Sequence, residues 1–180
     1  MTKPLLQEKD IILRAVEPDD LDFIYLAEND TLAWHTSATV APLSRYMIQQ
    51  YIDTYRADLY QDRQLRLIAT LSGTGEQIGI ADLYDFDPRN SRAGVGIYIT
   101  PSQRCKGYGK KLLSALSHYA QEYIGIHMLY AFISVDNDSS RHIFNHCGYT
   151  QVATLPCWIK TSQGYTSAVI VQKSGDCLLK

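Results

Sequence analysis

Apolar positions follow two rhythms along this chain, and the switches between them mark out its elements. Residues 11–14, Ile-Ile-Leu-Arg, form a short β-rich run. Glu17-Pro18-Asp19-Asp20 follows, with proline and acidic side chains where a helix begins. Leu21, Ile24, Tyr25 and Leu26 give that helix its apolar face. A loop through Trp34 and His35 to Pro42 leads to Ser44, placed to cap a second helix on which Tyr46, Met47, Gln50, Tyr51 and Tyr55 recur at helical spacing. The pattern then turns β-rich. Residues 65–71 and 77–84 flank the turn Ser72-Gly-Thr-Gly75 as a hairpin, and the turn residues of 86–91 bring the chain back along 92–100. Leu112, Leu113, Leu116, Tyr119, Ala120 and Tyr123 predict an amphipathic helix over 110–123. A strand over 128–135, a short helix capped near Ser139 and Ser140 and stopped by Gly148, and two strands over 151–159 and 165–172 complete the order β-α-α-β-β-β-α-β-α-β-β.

With 180 residues and no linker or repeat, residues 1–180 read as a single domain. A hydrophobic fraction of 46% is enough for a core without a metal or disulfide framework. The net charge of −2 gives no electrostatic reason to expect nucleic acid. Four scattered cysteines form no CxxC or zinc-ligand spacing, so reduced thiols and no metal are expected. His142 and His146 share a helical face but lack a third ligand. Neither a signal peptide nor a membrane span is legible, so the expected location is the cytoplasm, with no membrane partner.

The most specific segment is Arg104-Cys105-Lys106-Gly107-Tyr108-Gly109, between a strand and a long helix. Backbone N–H groups at a helix start lack intrahelical partners, and the helix dipole adds roughly half a positive charge there. Gly107 and Gly109 let an anion approach, and Lys106 and Lys110 add charge. The alternative is a tight turn that uses glycine only for backbone freedom. The segment is neither a Walker loop nor a GxGxxG fingerprint.

Arg104, Gly107 and Gly109 resemble the pyrophosphate loop of the GNAT superfamily of N-acetyltransferases, Gln or Arg, two residues, Gly, one residue, Gly or Ala. Asn137 to Tyr149 is similar to that family's Asn-x-x-Ser/Ala helix and its Gly-Phe or Gly-Tyr ending. Residues 11–20 and 77–83, with Trp158 to Tyr165, resemble the branch of ribosomal-protein N-terminal acetyltransferases and spermidine N-acetyltransferase. The resemblance implies an α/β fold with a mostly antiparallel mixed sheet and helices on both faces. It implies acetyl-CoA as co-substrate, lying where the fourth and fifth strands splay. Ile97, Tyr98 and Ile99 would line the pantetheine arm. Backbone amides from Cys105 through Lys110 would hold the diphosphate, and Asn137 and Ser140 would lie nearby.

Acetyl transfer to an amine needs an uncharged nitrogen, a stabilised carbonyl oxygen and a protonated leaving thiolate. An amine of pKa near 10 costs about 4 kcal/mol to deprotonate at pH 7. Asp82 and Asp85 are the candidate bases. Many relatives carry a tyrosine seven residues after the asparagine as acid, whereas this chain has Phe144. Tyr98, Tyr108, Tyr84 or solvent must take over that task, or activity is weak. Trp34 and His35 either contact the acceptor or seal the core, and Tyr84 is a further acceptor-side candidate. A protein N-terminal amine is the first choice of acceptor, with a polyamine or other small amine second. A non-catalytic acyl-CoA sensor is the alternative, favoured by Phe144 alone. The strand over 165–172 is expected to be exposed and able to pair across a homodimer.

Overall fold

The computed structural model describes residues 6–34 and 39–175. His35 and Cys177 therefore lie outside the described residues. Eight strands form one sheet in the order β1-β2-β3-β4-β5-β6-β8-β7. They are β1 (Gln7–Glu8), β2 (Ile11–Arg14), β3 (Leu65–Leu71), β4 (Gln77–Asp87), β5 (Arg92–Ile99), β6 (Met128–Ser134), β7 (Thr150–Thr161) and β8 (Gly164–Ser174). All neighbours are antiparallel except β5 and β6. This is the mixed α/β architecture expected from the sequence, with one added two-residue strand ahead of the first, so the strand counted fourth there is β5 here.

The helices α1 (Leu21–Glu28), α2 (Arg45–Thr54), α3 (Leu59–Asp62), α4 (Tyr108–His118) and α5 (Asp138–His146) supply the covering layers. Helix α4 buries Leu112, Leu113 and Leu116 against Ile78, Val95 and Leu129 of the sheet. On a separate cluster, Ile24 and Ala27 of α1 and Ile48 and Ile52 of α2 close over Ile68 and Ile80. Alternation along β3 sends Leu65, Leu67 and Ala69 to one cluster and Ile68 to the other, and the register shift at Ala69/Thr70 lets Ile78 and Ile80 of β4 join different ones.

Local chemistry sets the helix boundaries. Ser44 caps α2 as expected, its hydroxyl accepting from Met47 N–H at 3.2 Å. Asp58 caps α3, a one-turn helix too short to leave a periodic signal. The cap of α5 is Asn137, not Ser139 or Ser140, because its side-chain oxygen accepts from Ser140 N–H at 3.0 Å. Helix α4 starts two residues before the predicted position and passes into a π-helical turn over Tyr119–Ile124.

One expectation is corrected. The strand over 165–172 belongs to β8, which pairs with β6 on one side and β7 on the other. It is an interior strand, and the exposed edge at that end of the sheet is β7. The sequence pattern marks both strands as β-rich but carries no signal for the crossover that places β7 outside.

Asp20 ties the start of α1 to the sheet. It is fully buried, accepts two hydrogen bonds of 2.7 Å from Arg14, and also accepts from Glu17 N–H and Gln77. Burial alone would raise its carboxyl, but these donors outweigh burial and hold it below the ordinary carboxylate value. A depressed folded pKa means that its stabilisation is present above the unfolded value and is lost as pH falls through the folded one. Acid unfolding of the native chain should therefore steepen below about pH 4, and Asp20→Asn should flatten that limb in a circular-dichroism titration.

Candidate active site

Strands β5 and β6 pair in parallel at Arg92 with Met128, Ala93 with Leu129 and Gly94 with Tyr130. Past Gly94 they diverge, while β5 continues to pair with β4 as far as Ile99 opposite Gly79. A cavity of about 510 Å³ opens in this splay. Val95 to Tyr98 of β5 form one wall and Ala131 to Ser134 of β6 the other. Asn137, the cap of α5, and Ser140 and Phe144 of that helix line it as well, together with Trp34, Tyr84, Glu28, Arg66 and Asp82.

The glycine turn lies beside this opening, and its two glycines serve different ends. Gly107 is the amino-terminal cap of α4 at φ +80°, and a Cβ there would meet no atom within 4 Å. Its surroundings are open, and no side chain caps the helix end. Gly109 instead lets α4 approach α5, since a Cβ there would stand 2.9 Å from Ile143 Cδ1. Cys105 also adopts a positive φ of +60°, so the turn curls tightly around Lys106. Lys106 donates to Gln103 at 2.9 Å. The free N–H groups at the start of α4, joined by the helix dipole, suit a diphosphate. The Asn137 oxygen is engaged in its cap, which leaves the side-chain NH2 as a donor on the cavity wall.

Several sequence candidates take different places. Arg104 turns away from the glycine turn, donating Nη2 to Asp30 at 2.8 Å and Nε to the Ile99 carbonyl at 3.0 Å. Asp85 is exposed at φ +49°, on the irregularity where the β4–β5 register shifts, and is absent from the cavity lining. Tyr108 is also absent from that lining and lies under the Lys111 ammonium, 5.0 Å from its ring centre. Tyr84 and Tyr98 do line the cavity. Burial, reinforced by neighbouring carboxylates, pushes each phenol up to about 12, so both remain neutral hydrogen-bonding groups near pH 7. Phe144 is buried edge-on against Tyr149, whose hydroxyl meets Ser117 at 2.8 Å.

The sequence gives no warning of the charged cluster that lines the cavity. Arg66 donates Nε and Nη2 to Asp82 at 2.8 and 2.9 Å, and Nη1 to Glu28 at 2.5 Å. Tyr51 lies against the guanidinium, with 5.7 Å to its ring centre, and the Tyr55 hydroxyl bonds both backbone groups of Arg66. Burial would lower the arginine's pKa, but the two carboxylates more than reverse this and hold it charged. Two negative charges and one positive charge leave the cluster at net −1. Glu28 ends α1 and Arg66 is the second residue of β3, 38 residues apart, so no local motif could have joined them.

Gly94 is required where the strands part. A Cβ there would fall 2.2 Å from the Tyr84 ring. Gly94→Ala should displace that ring from the cavity wall and cost about 1–3 kcal/mol, read as a lower denaturant midpoint with a raised KM for the amine.

A mixed sheet opened at one parallel joint, with an uncapped helix end beside the opening, defines a protein with room for an extended ligand that carries an anionic group. Residues 10–150 match the acetyltransferase (GNAT) domain, so the chain belongs to the GNAT superfamily and is an acetyl-CoA-dependent N-acetyltransferase. Its relatives include spermidine N(1)-acetyltransferase of Vibrio cholerae serotype O1, 22% identical over 148 residues that cover 81% of this chain and 82% of that protein. L-amino acid N-acyltransferase MnaT of Escherichia coli K12 is 32% identical over 75 residues, 42% of this chain and 43% of that one. Among solved structures, spermidine N-acetyltransferase from Vibrio cholerae in complex with CoA and spermine shares the fold at TM-score 0.82 and 19% identity, covering 92% of this chain and 95% of that chain. The resemblance to the spermidine N-acetyltransferase branch is thereby borne out. Among the described residues no helix is long and apolar enough to cross a membrane, and no group of three or more His, Cys, Asp or Glu is placed to hold a metal ion.

Proposed function

We propose that this enzyme acetylates an acceptor that presents a single ammonium group to the cavity, with a protein N-terminal amine as first choice and a polyamine or other small amine as second. The observation that carries this reading is the net −1 of the Glu28–Arg66–Asp82 cluster, facing a cavity walled by Trp34, Tyr84, Tyr98 and Phe132. One unbalanced negative charge in a partly buried site attracts one cation, and aromatic faces favour cations as well. Polyamines carry several charges, and the remaining carboxylate of this region, Asp30, is already paired with Arg104.

The residues divide the work in a consistent way. Acetyl-CoA supplies the activated acyl group when bound. The amino end of α4 would hold its diphosphate, and the β5 edge that faces the gap offers backbone donors to its extended arm. Arg66 occupies both oxygens of Asp82 but reaches Glu28 through one bond, so Glu28 is the carboxylate better able to accept the ammonium proton, directly or through water. Asp82 then acts as a fixed negative charge instead of the base expected from the sequence. The leaving thiolate takes its proton from solvent or from Tyr84, since Tyr98 directs its one hydrogen at Asp30 and Phe144 has none to give.

A screen of short peptides with free amino termini against spermidine and simple monoamines, following CoA release, tests this reading. The expected order places a mono-ammonium acceptor above spermidine in kcat/KM. Phe144 specifically favours the sensor alternative. Acetyl-CoA binding without CoA release over the whole panel would establish that alternative and end the catalytic reading. The homodimer expected from the sequence would have to use the β7 edge or another surface. A structural neighbour, spermidine N-acetyltransferase from Vibrio cholerae, has a dodecameric structure, which makes self-association of this chain worth testing by light scattering.

A further inference from the structure

Asp30 lies just beyond α1, at the start of the loop that carries Trp34. Its side chain is only 11% exposed. Oδ2 accepts from Arg104 Nη2 at 2.8 Å and from the Tyr98 hydroxyl at 3.1 Å, and Oδ1 accepts from Leu32 N–H at 3.1 Å. Arg104 also reaches the Ile99 carbonyl at 3.0 Å, and its guanidinium lies 5.7 Å from the Tyr98 ring centre. One carboxylate therefore joins the acceptor-side loop, the β5 edge of the cavity and the first residue of the glycine turn.

The consequence for each partner follows from hydrogen-bond inventory. The Tyr98 hydroxyl has a single hydrogen, which is directed at Asp30, and its oxygen also interacts with the Arg104 guanidinium, so Asp30, Arg104 and Tyr98 close one network behind a ring that lines the cavity. Anchoring the hydroxyl fixes the ring, and a cavity wall held in one place fixes where an entering amine can sit. Arg104 has its Nε and Nη2 groups engaged, so it braces the turn from outside while the helix start at Gly107 stays free of any side-chain cap.

We propose that Asp30 is a positioning residue that aligns both substrates: through Arg104 it sets the diphosphate-binding turn, and through Tyr98 it holds the ring that walls the amine's place in the cavity. The second arm rests on the reading of the cavity as the acceptor site; the first arm does not.

Three proteins test it: the native chain, Asp30→Asn and Tyr98→Phe. Each is measured for acetyl-CoA affinity by calorimetry and for amine KM and kcat by CoA release, with thermal melting as a fold control. Hydrogen bonds that involve charged groups are the strong ones. Asp30→Asn should therefore weaken acetyl-CoA binding about tenfold and raise the amine KM about tenfold. Tyr98→Phe keeps the ring packing and should raise only the amine KM, about fivefold, with acetyl-CoA affinity within about twofold of the native value. Unchanged affinity and KM in Asp30→Asn would overturn the proposal. Tighter acetyl-CoA binding in Asp30→Asn would overturn it too, because the freed Arg104 would then be grasping the diphosphate itself. Should the native chain bind acetyl-CoA but acetylate no amine, the acceptor arm falls with the functional reading. A tenfold loss of affinity in Asp30→Asn would still establish the brace on the turn.

Discussion

Gly107→Glu should abolish acetyl-CoA binding, with Kd raised at least about a hundredfold, while the fold persists. Three effects act together. The native φ of +80° is one that side-chain-bearing residues adopt at a cost of roughly 1–2 kcal/mol. The new side chain projects into space that is open in the native turn, where the diphosphate would lie. Its carboxylate then places like charge against the ligand and offsets the half-charge of the α4 dipole. Gly107→Ala separates these terms, because it retains the backbone cost without the bulk or the charge. Calorimetry with acetyl-CoA should show a modest loss for the alanine variant and no heat for the glutamate variant. Near-native affinity in Gly107→Glu would place the cofactor elsewhere and remove the assignment of the turn.

Arg66→Met should be the most destabilising substitution at the acceptor side. It removes the one cation shared by Glu28 and Asp82 and leaves two carboxylates facing each other in a partly buried site. Breaking a buried ion pair from one side typically costs about 3–5 kcal/mol, much of it from the uncompensated charge. For a chain of this length that corresponds to a melting temperature lower by roughly 10 °C. The double variant Glu28→Gln with Arg66→Met should recover part of the loss, since one of the stranded charges is gone. A melting temperature within about 2 °C of native for Arg66→Met would show that solvent already screens the cluster.

What could be read from the chain in advance depended on distance along it. Ser44 and the glycine turn were legible because a cap or a tight turn is decided within a few residues. The splay of β5 and β6 came only through family resemblance, since nothing in Val95 to Ile99 says that its partner strand departs after Gly94. Arg66 read as a polar position within β3, and its pairing with Glu28 depends on how α1 crosses the sheet. Arg104 matched the motif by identity, yet its side chain serves Asp30, 74 residues earlier. The interior place of β8 was missed for a related reason, because strand order depends on long-range pairing, here of β8 with both β6 and β7, and not on strand propensity.

The three-rung joint between β5 and β6 also bears on the mechanics of the molecule. Beyond Arg92, Ala93 and Gly94 the sheet behaves as two plates that meet at a short hinge, β1 to β5 on one side and β6, β8 and β7 on the other. Whatever wedges into the gap supplies rungs that the strands themselves do not, so occupancy should stiffen both plates at once. Slowed amide exchange at Val95 to Ile99 and at Ala131 to Ser134, appearing together on addition of ligand, would be the signature of that wedge.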